Sequence, residues 1–485
     1  MNNQYGGEVI GAGGFGCVFK PQLKCIDHSI PYDPSGISKL LYVEHANAEM
    51  KEISNIIPII NSILNNQLYF LPNKVEKFYD CQISKFSSED IENIKKCSRI
   101  LERGDVPNLS LKTLNQNYYK NKFRIIQQPY GGQELYKYIQ NLDSKLLDIS
   151  DLQDINNKLQ DVNNKLCDLL KNGIKPMNDA GLLHHDIKAE NILYDEINAK
   201  LIDWGLSKNL NNTELQSIAE KCSHESNFNT LPTNILLHFI KSNSKDLDIY
   251  GRIITIFNKY KNLNYTIIPK ILKRELKDNN SIINFLNEFI SPGIEIYRQG
   301  KIKYFKDIYA KNCDIFGFLT CYVDIIERIN KKLDIIEHNN KILKNQANIV
   351  KEHQDALIKV NEQQIGESQK LTQTTSAIDN FSKKYFIWFK VKAIIENLKK
   401  LCLHYMYSKA ATEAIDVDKL NDDLVSVFNG INFEIQSGGK KILKKYKRNK
   451  GKTVKRNKIK TVKRNKIKIV KRNKRKTKKQ RIIKN

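Results

Sequence analysis

Apolar and polar positions along the first part of the chain predict a small sheet followed by helices. Residues 9–19 alternate apolar residues with glycines, as two strands joined by a glycine-rich turn would, and residues 37–43 predict a further strand. Apolar residues at helical spacing follow in residues 44–57. Residues 123–128 predict a short buried strand, and residues 159–177 carry the apolar stripe of an amphipathic helix.

An apolar residue recurs every seven positions in the C-terminal half, which predicts a long helix with a narrow apolar seam. The seam consists of Ile329, Ile336, Leu343, Val350 and Leu357. The matching second seam is polar at Asn340, Gln354 and Asn361, so packing of this helix on the protein's own body is favoured over a coiled-coil dimer. With a further apolar-rich stretch at residues 381–406, residues 326–438 are predicted to form a helical extension.

The composition narrows the class of protein. An apolar content of 40% permits a hydrophobic core, and no apolar run reaches about 18 residues, so no transmembrane helix is expected. The first residues lack the basic and apolar regions of a signal peptide, which predicts an intracellular protein of the cytoplasm or nucleus. Nine scattered cysteines without a C-x-x-C pair favour neither a disulfide framework nor a zinc site, and they are typical of a reducing compartment.

Positive charge is concentrated in one tail. The chain has a formal net charge of +27, but residues 440–485 contain 25 Lys or Arg and no Asp or Glu. The other residues carry 55 basic and 53 acidic side chains, so the body is nearly neutral. A Lys-Arg-Asn-Lys motif begins at Lys447, Lys455, Lys463 and Lys471. Such dense like charge predicts a disordered tail over residues 439–485.

Candidate catalytic residues are concentrated between residues 184 and 205. Asp186, Lys188 and Asn191 fall within six positions, and Asp203 lies twelve residues beyond Asn191. One Asp can orient an attacking hydroxyl, and a Lys can neutralise charge on a moving phosphoryl group. Asn and a second Asp can hold Mg²⁺. This spacing predicts phosphoryl transfer from a nucleotide.

A glycine-rich segment near the N-terminus offers a complementary phosphate site. It comprises Gly11, Gly13, Gly14, Phe15, Gly16 and Val18, with Ala12 and Cys17 between them. Glycines let backbone amides approach phosphate oxygens, and Phe15 can cover the turn. A dinucleotide-binding segment would need a helix immediately after the glycines. The strand-like residues up to Lys20 and the following Pro21 argue against that helix.

The two segments together resemble the eukaryotic-type protein kinase superfamily. The Asp203-Trp204-Gly205 variant, a long insertion and the basic tail are similar to serine/threonine kinases of giant DNA viruses. The resemblance implies a two-lobed α+β fold, with an N-lobe at residues 1–127 and a C-lobe at residues 128–325. It further implies ATP and Mg²⁺ as cofactors and a protein substrate, with the host cytoplasm, nucleus or virion as location. Lys188 resembles the serine/threonine subgroup.

The resemblance implies roles for further residues. A lysine on the third strand should grip the α- and β-phosphates, and Lys39 is preferred over Lys20 and Lys24. Its glutamate partner should lie on the next helix, where Glu49 is preferred over Glu44 and Glu52. The Gln128 carbonyl and the Tyr130 amide are expected to contact adenine, because Pro129 has no amide hydrogen. Asp186 and Lys188 are the implied catalytic residues, and Asn191 and Asp203 are the implied metal ligands.

Several positions depart from the usual kinase pattern. His185 stands where many protein kinases have an Arg that pairs with a phosphorylated activation loop, which predicts activity independent of that phosphorylation. Trp204 replaces the usual Phe and could make the same packing. Instead of a clear Ala-Pro-Glu segment, Leu231-Pro232-Thr233 is the nearest match. For the aspartate that anchors the central C-lobe helix, Asp314 is preferred over Asp246 and Asp248, which implies an insertion at residues 209–303.

Other functions remain open from the sequence. Small-molecule phosphotransferases also carry H-x-D-x-x-x-x-N and an Asp-Trp pair, although Lys188, Gly205 and the glycine-rich segment favour a protein kinase. A pseudokinase scaffold that displays the tail is the alternative outside enzymes. For residues 440–485, nonspecific nucleic-acid binding is favoured over nuclear targeting, docking of an acidic partner and mere solvation. The sequence leaves the oligomeric state open.

Overall fold

A computed structural model describes residues 7–12, 16–71, 78–97, 110–145, 151–195, 197–210, 279–361, 387–410 and 412–430. The described strands are β1 (Glu8–Ala12), β2 (Gly16–Lys20), β3 (Ile37–Tyr42), β4 (Tyr79–Cys81), β5 (Phe123–Gln128), β6 (Gln133–Glu134), β7 (Leu182–Leu183), β8 (Ile192–Tyr194), β9 (Ala199–Leu201) and β10 (Lys208–Asn209). The described helices are α1 (Val43–Ser62), α2 (Asn66–Tyr69), α3 (Ser88–Ile94), α4 (Leu111–Leu114), α5 (Asn117–Lys120), α6 (Leu135–Lys145), α7 (Leu152–Asp168), α8 (Lys175–Asp179), α9 (Asn279–Gln299), α10 (Lys301–Tyr304), α11 (Ala310–Asn361), α12 (residues 387–404) and α13 (Val417–Phe428). Short π-helical turns at Leu169–Ile174, Phe305–Tyr309 and Tyr405–Lys409 follow α7, α10 and α12, and a 3₁₀ turn covers Ala189–Asn191.

The first lobe is built on a five-stranded antiparallel sheet with the order β1-β2-β3-β5-β4. Residues 9–12 and 16–19 lie in the paired antiparallel strands β1 and β2, as predicted. In the sheet, Lys39 of β3 lies between Val18 of β2 and Ile126 of β5. On one face, α1 buries Ala46, Ile53 and Ile57 against the sheet. This packing is the reason that the apolar positions of α1 recur at helical spacing.

The other face of this sheet is covered by residues 82–97 and 110–122, which we call the outer cap. The buried cluster between cap and sheet contains Phe19, Leu40, Phe123 and Ile125 from the sheet and Phe86, Ile91, Ile94 and Leu114 from the cap. Helix α3 begins with a capping box between Ser87 and Asp90, which satisfies backbone donors at its first turn. The sequence patterns did not predict this cap, because its helices are too short for a clear periodicity.

Two disulfides hold the first lobe. One joins Cys17 of β2 to Cys97 after α3, and the other joins Cys25 to Cys81 of β4. The prediction that the cysteines form no disulfides is therefore wrong for these four residues. The partners are 80 and 56 residues apart, so only the folded sheet and cap bring them together. Among the described residues, Cys167, Cys313, Cys321 and Cys402 remain thiols.

The second lobe is mainly helical. Buried side chains of α7, α11 and α13 belong to a single hydrophobic core, including Leu159, Leu166, Ile329, Leu420 and Leu424. The predicted long helix is confirmed as α11. Burial of Ile329 and Ile336 in this core shows that the first part of the predicted seam packs on the protein's own body, and the side chains of Leu343, Val350 and Leu357 lie outside the described ones. The C-terminal helices therefore complete the core of the lobe.

The predicted two-lobed α+β fold is confirmed. Strands β6, β8 and β9 form a small sheet below the first lobe, and β10 pairs with β7. Most of the predicted insertion at residues 209–303, namely residues 211–278, lies outside the described residues, as does the predicted basic tail at residues 439–485. Within the described part of the chain, no helix has the length and apolar character needed to cross a membrane.

Candidate active site

The first lobe presents a charged pair to the cleft between the lobes. The Nζ atom of Lys39 lies 2.7 Å from Oε2 of Glu49 and 3.7 Å from Oδ1 of Asp203. Burial disfavours the ammonium, but the charges of Glu49 and Asp203 outweigh it and raise the pKa of Lys39 above its usual value. The charge of Lys39 in turn lowers the pKa of Asp203, which stays a carboxylate at neutral pH. Residues from β3, α1 and the second lobe thus converge at one point.

The second lobe contributes a compact loop between β7 and β8. Nζ of Lys188 donates to Oδ2 of Asp186 at 2.7 Å, and Nδ2 of Asn191 donates to the same oxygen at 2.8 Å. The Asn191 amide also donates to the Asp186 carbonyl at 2.8 Å. The backbone carbonyl of Asn191 accepts from the Ile202 amide at 3.0 Å, which ties this loop to the residue before Asp203. The loop therefore has the rigid geometry that a catalytic carboxylate needs.

The same geometry suits a divalent cation. Both bonds of the Asn191 amide group use its nitrogen, so its oxygen Oδ1 remains for a metal ion. The Asp203 carboxylate is ionised and its side chain is 47% exposed, facing the cleft. One amide oxygen and one carboxylate are the protein ligands that Mg²⁺ commonly takes beside phosphate oxygens and water. The residues present therefore fit Mg²⁺.

Trp204 holds Asp203 in place. Asp203 has a positive φ of 64°, a conformation that must be stabilised by its surroundings in a residue other than glycine. The Trp204 ring is buried against His184 and Phe70. Its Nε1 donates to the carbonyl oxygen of Leu71 at 2.8 Å. A Phe at this position could make the packing but not the hydrogen bond, so Trp204 does more than the predicted packing.

A buried aspartate supports the loop between β7 and β8, residues 184–191, which we call the catalytic loop. Asp314 of α11 accepts the backbone amides of His184 and His185, each at 2.8 Å. Gly317 lets the loop approach this helix, because a Cβ atom there would lie only 2.6 Å from the Ile187 carbonyl oxygen. Asp314, the preferred candidate for the anchor, occupies this position. Asp246 and Asp248 lie outside the described residues.

His185 is a neutral buried residue. It is 3% exposed, has a positive φ of 69°, and its Nε2 lies 2.8 Å from the Tyr309 hydroxyl. Burial, together with the charges of Lys208 and His184, lowers the pKa of His185 to about 3. The imidazole is therefore uncharged at neutral pH and cannot act as a cation for a phosphate group.

This burial predicts a pH-dependent stability. In the unfolded chain His185 would bind a proton near its ordinary pKa of 6.5, but in the folded protein it binds one only near 3. Its stabilising contribution is fully present above pH 6.5 and is lost as the pH falls. The slope is about 1.4 kcal/mol per pH unit below pH 6. Urea unfolding between pH 7 and 5 should show a shallower decline in the His185→Gln variant, and equal slopes would contradict this assignment.

The glycine-rich hairpin lies over the same cleft. Gly11 pairs with Val18, and Gly16 pairs with Leu41 of β3. Gly13, Gly14 and Phe15 lie outside the described residues. Lys137 of α6 donates to the Ile10 carbonyl, and it also lies 2.9 Å from Oε1 of Glu134. Sequence patterns could not select Glu134 or Lys137, because their contacts with the hairpin join residues more than 120 positions apart.

The two residues predicted to contact adenine lie in the connection between the lobes. Gln128 is the last residue of β5, and its carbonyl accepts from the Gln22 side chain at 3.4 Å. In the predicted adenine contact, the base would share this carbonyl oxygen with the Gln22 side chain. Tyr130 is 40% exposed, and the Lys20 ammonium lies 3.3 Å from its ring centroid. The next residue is Gly131. A Cβ atom added there would lie 2.7 Å from the Leu193 side chain of the second lobe.

Comparison with known proteins agrees with this geometry. The family described as protein kinase domain matches residues 83–237, which include the connection between the lobes, the catalytic loop and Asp203. The two-lobed α+β fold is consistent with that of protein kinases. A protein described as "Probable serine/threonine-protein kinase" from Dictyostelium discoideum is 28% identical over 202 residues, which is 38% of this chain and 27% of that protein. Both matches support the protein kinase superfamily.

The structure brings together residues that are far apart in the sequence and that match the positions expected of a kinase site. Lys39, Glu49 and Val18 come from the N-lobe, and Asp186, Lys188, Asn191 and Asp203 come from the C-lobe. Glu52, a competing partner for Lys39, lies instead near Gly205. The N-lobe also carries the outer cap, which the Cys17–Cys97 disulfide links to β2.

Proposed function

We propose that this protein transfers the γ-phosphoryl group of ATP to a serine or threonine hydroxyl of a protein substrate, with Mg²⁺ as cofactor. The observation that carries the proposal is the Lys39–Glu49 pair reaching Asp203 across the cleft. In protein kinases a lysine of this kind contacts the α- and β-phosphates, and the aspartate beside it binds the metal ion. A scaffold without activity would have no need for an ionised Asp203 held at this position.

The position and charge of each residue suggest its role in the proposed reaction. Asp186 would orient the attacking hydroxyl and accept its proton, because it is the carboxylate at the centre of the catalytic loop. Lys188 would stabilise negative charge on the moving phosphoryl group. Asn191 and Asp203 would hold Mg²⁺, which neutralises charge on the β- and γ-phosphates when bound. The glycine-rich hairpin would cover the phosphates with backbone amides.

The class of acceptor separates this proposal from a small-molecule phosphotransferase. Lys188 beside Asp186 and the hairpin favour a protein acceptor. The test incubates the full chain with Mg²⁺ and γ-labelled ATP together with basic and acidic proteins, aminoglycosides and choline. Label on serine or threonine of a protein is the expected result. Label only on a small molecule would replace the proposal by the alternative.

Activity without activation-loop phosphorylation is a further part of the proposal. The neutral His185 is bonded to Tyr309 in the core, so it is not available to pair with a phosphate. Treatment of the protein with a phosphatase should therefore leave kcat unchanged. A loss of activity that returns on rephosphorylation between Ser207 and Thr233 would contradict this expectation.

We also propose that residues 440–485 bind nucleic acid without sequence preference. The support is their 25 basic residues and absence of acidic ones, beside a nearly neutral body. Such binding releases counterions, so the affinity for DNA or RNA should fall steeply between 50 and 200 mM salt, by about 10³-fold or more. A chain ending at Gly439 should lose this binding at low salt. Retention of full affinity by the shortened chain would exclude the tail as the binding segment.

A further inference from the structure

The outer cap holds the glycine-rich hairpin at two points. At the start of β1, the Gly7 amide donates to Oδ1 of Asp90 at 3.1 Å, and Nδ2 of Asn93 donates to the Gly7 carbonyl at 3.0 Å. At the start of β2, immediately after Gly16, the disulfide joins Cys17 to Cys97. The outer cap therefore contacts the hairpin at the start of each strand, through Asp90 and Asn93 of α3 and through Cys97 after α3, and the second connection is covalent.

The hairpin is also held from the opposite side of the cleft. Lys137 of α6 donates to the Ile10 carbonyl, and Gly11 lies beside the carboxylate of Glu134. The hairpin is thus fixed between the outer cap and the C-lobe in a position over the cleft. Nucleotide that enters or leaves the cleft must displace the hairpin, so its freedom to move sets how tightly a nucleotide is retained.

The second disulfide lies elsewhere on the sheet. Cys25 and Cys81 join the β2–β3 connection to β4, where the Ile26 amide donates to Gln82 and the Ser84 amide donates to Lys24. This region has its own backbone pairing, between residues 24–26 and 82–84. The Cys25–Cys81 bond therefore stabilises the sheet edge, and it offers a matched control for the Cys17–Cys97 bond.

Cysteine oxidation is confined to the N-lobe in the described part of the chain. All four described cysteines of the C-lobe remain thiols and are buried. Burial raises the pKa of Cys167 and of Cys402 to about 12, which keeps these groups protonated and poorly nucleophilic. Among the described cysteines, those of the N-lobe are therefore the ones that oxidation or reduction would change.

We propose that the Cys17–Cys97 disulfide is a redox switch that fixes the glycine-rich hairpin to the outer cap and thereby controls nucleotide retention. Reduction by a dithiol transfers two electrons. The sulfur–sulfur bond breaks, both cysteines become thiols, and the reductant becomes a disulfide. The reduced hairpin keeps its hydrogen bonds to Asp90 and Asn93 but loses its covalent link at β2. The link to nucleotide binding rests on the proposed function.

The test compares the full chain after incubation with oxidised and with reduced dithiothreitol, with the state of each cysteine mapped by alkylation and mass spectrometry. Hydrogen exchange of peptides covering residues 8–20 should be faster in the reduced protein. The Kd for Mg-ATP should rise at least about fivefold, the lower range of coupling between linked sites. If neither form binds ATP, the proposed kinase function fails, while hydrogen exchange still decides whether the disulfide holds the hairpin.

Two double variants complete the test. The Cys17→Ser/Cys97→Ser variant should behave like the reduced protein and should not respond to dithiothreitol. The Cys25→Ser/Cys81→Ser variant should retain the response of the hairpin. Thiols at both Cys17 and Cys97 after oxidation, or equal exchange and equal Kd in both mapped states of the unsubstituted protein, would overturn the proposal even if a variant fails to fold.

Discussion

Replacement of Lys39 by methionine is expected to lower kcat/KM for ATP by about 10²–10³-fold, the effect of removing one preorganised electrostatic contact to a reacting group. The ammonium lies 2.7 Å from Glu49 and 3.7 Å from Asp203, so its loss removes the charge that joins the two lobes at the cleft. Methionine retains much of the length of the side chain without the charge. Steady-state kinetics with ATP as the varied substrate measure the change.

Glu49→Gln tests whether the glutamate acts through Lys39. Its effect should overlap with that of Lys39→Met, so the double variant should lose much less activity than the product of the two single effects. Lys392→Met with Glu337→Gln is a suitable control, because that ion pair is equally short at 2.7 Å but joins α11 to α12. Full additivity of the Lys39 and Glu49 effects would contradict a shared role.

Replacement of Asp314 by alanine is expected to have the largest effect on stability. It would leave the buried amides of His184 and His185 without their acceptor, at a cost of about 1–3 kcal/mol each. The free energy of unfolding should therefore fall by about 2–6 kcal/mol, as measured by urea denaturation. Because the same bonds support the positive φ of His185, activity should also fall under conditions where the variant stays folded.

Asp314→Asn provides the graded case. One oxygen remains to accept one amide, whereas the other position would place an amide nitrogen against a backbone donor, so an intermediate loss of stability is expected. Asp307→Asn is the control, since Asp307 is an exposed residue of the π-helical turn before α11. A stable Asp314→Ala variant with normal activity would show that the catalytic loop does not depend on this anchor.

The sequence predicted those parts of the fold whose signals are local. Strand β5 has the predicted bounds, and β3 and α1 begin within one residue of the prediction, because strand alternation and helical spacing are read over short windows. The candidate site at Asp186, Lys188 and Asn191 could also be predicted, since these three residues are close in the chain. The choice of Glu49 among three glutamates depended on the face of α1 that packs on the sheet.

The features that the sequence did not reveal depend on distant contacts. The Cys17–Cys97 bond, the hydrogen bond from Trp204 to Leu71 and the contact of Lys137 with Ile10 each join residues 80 or more positions apart. No spacing rule selects such partners before the fold is known. The contact between the Gln22 side chain of the β2–β3 connection and the Gln128 carbonyl is of the same kind.

The most direct test of the proposed function is phosphoryl transfer by the Asp186→Asn variant. Asparagine has nearly the shape of aspartate but cannot accept the proton of the substrate hydroxyl. Under single-turnover conditions with Mg²⁺ and γ-labelled ATP, the unsubstituted protein should label serine or threonine of a protein acceptor. The variant should be slower by about 10²–10⁴-fold, with a Kd for Mg-ATP within about twofold of the original. Equal transfer rates in the two proteins would contradict the assignment of Asp186 and, with it, the proposed kinase mechanism.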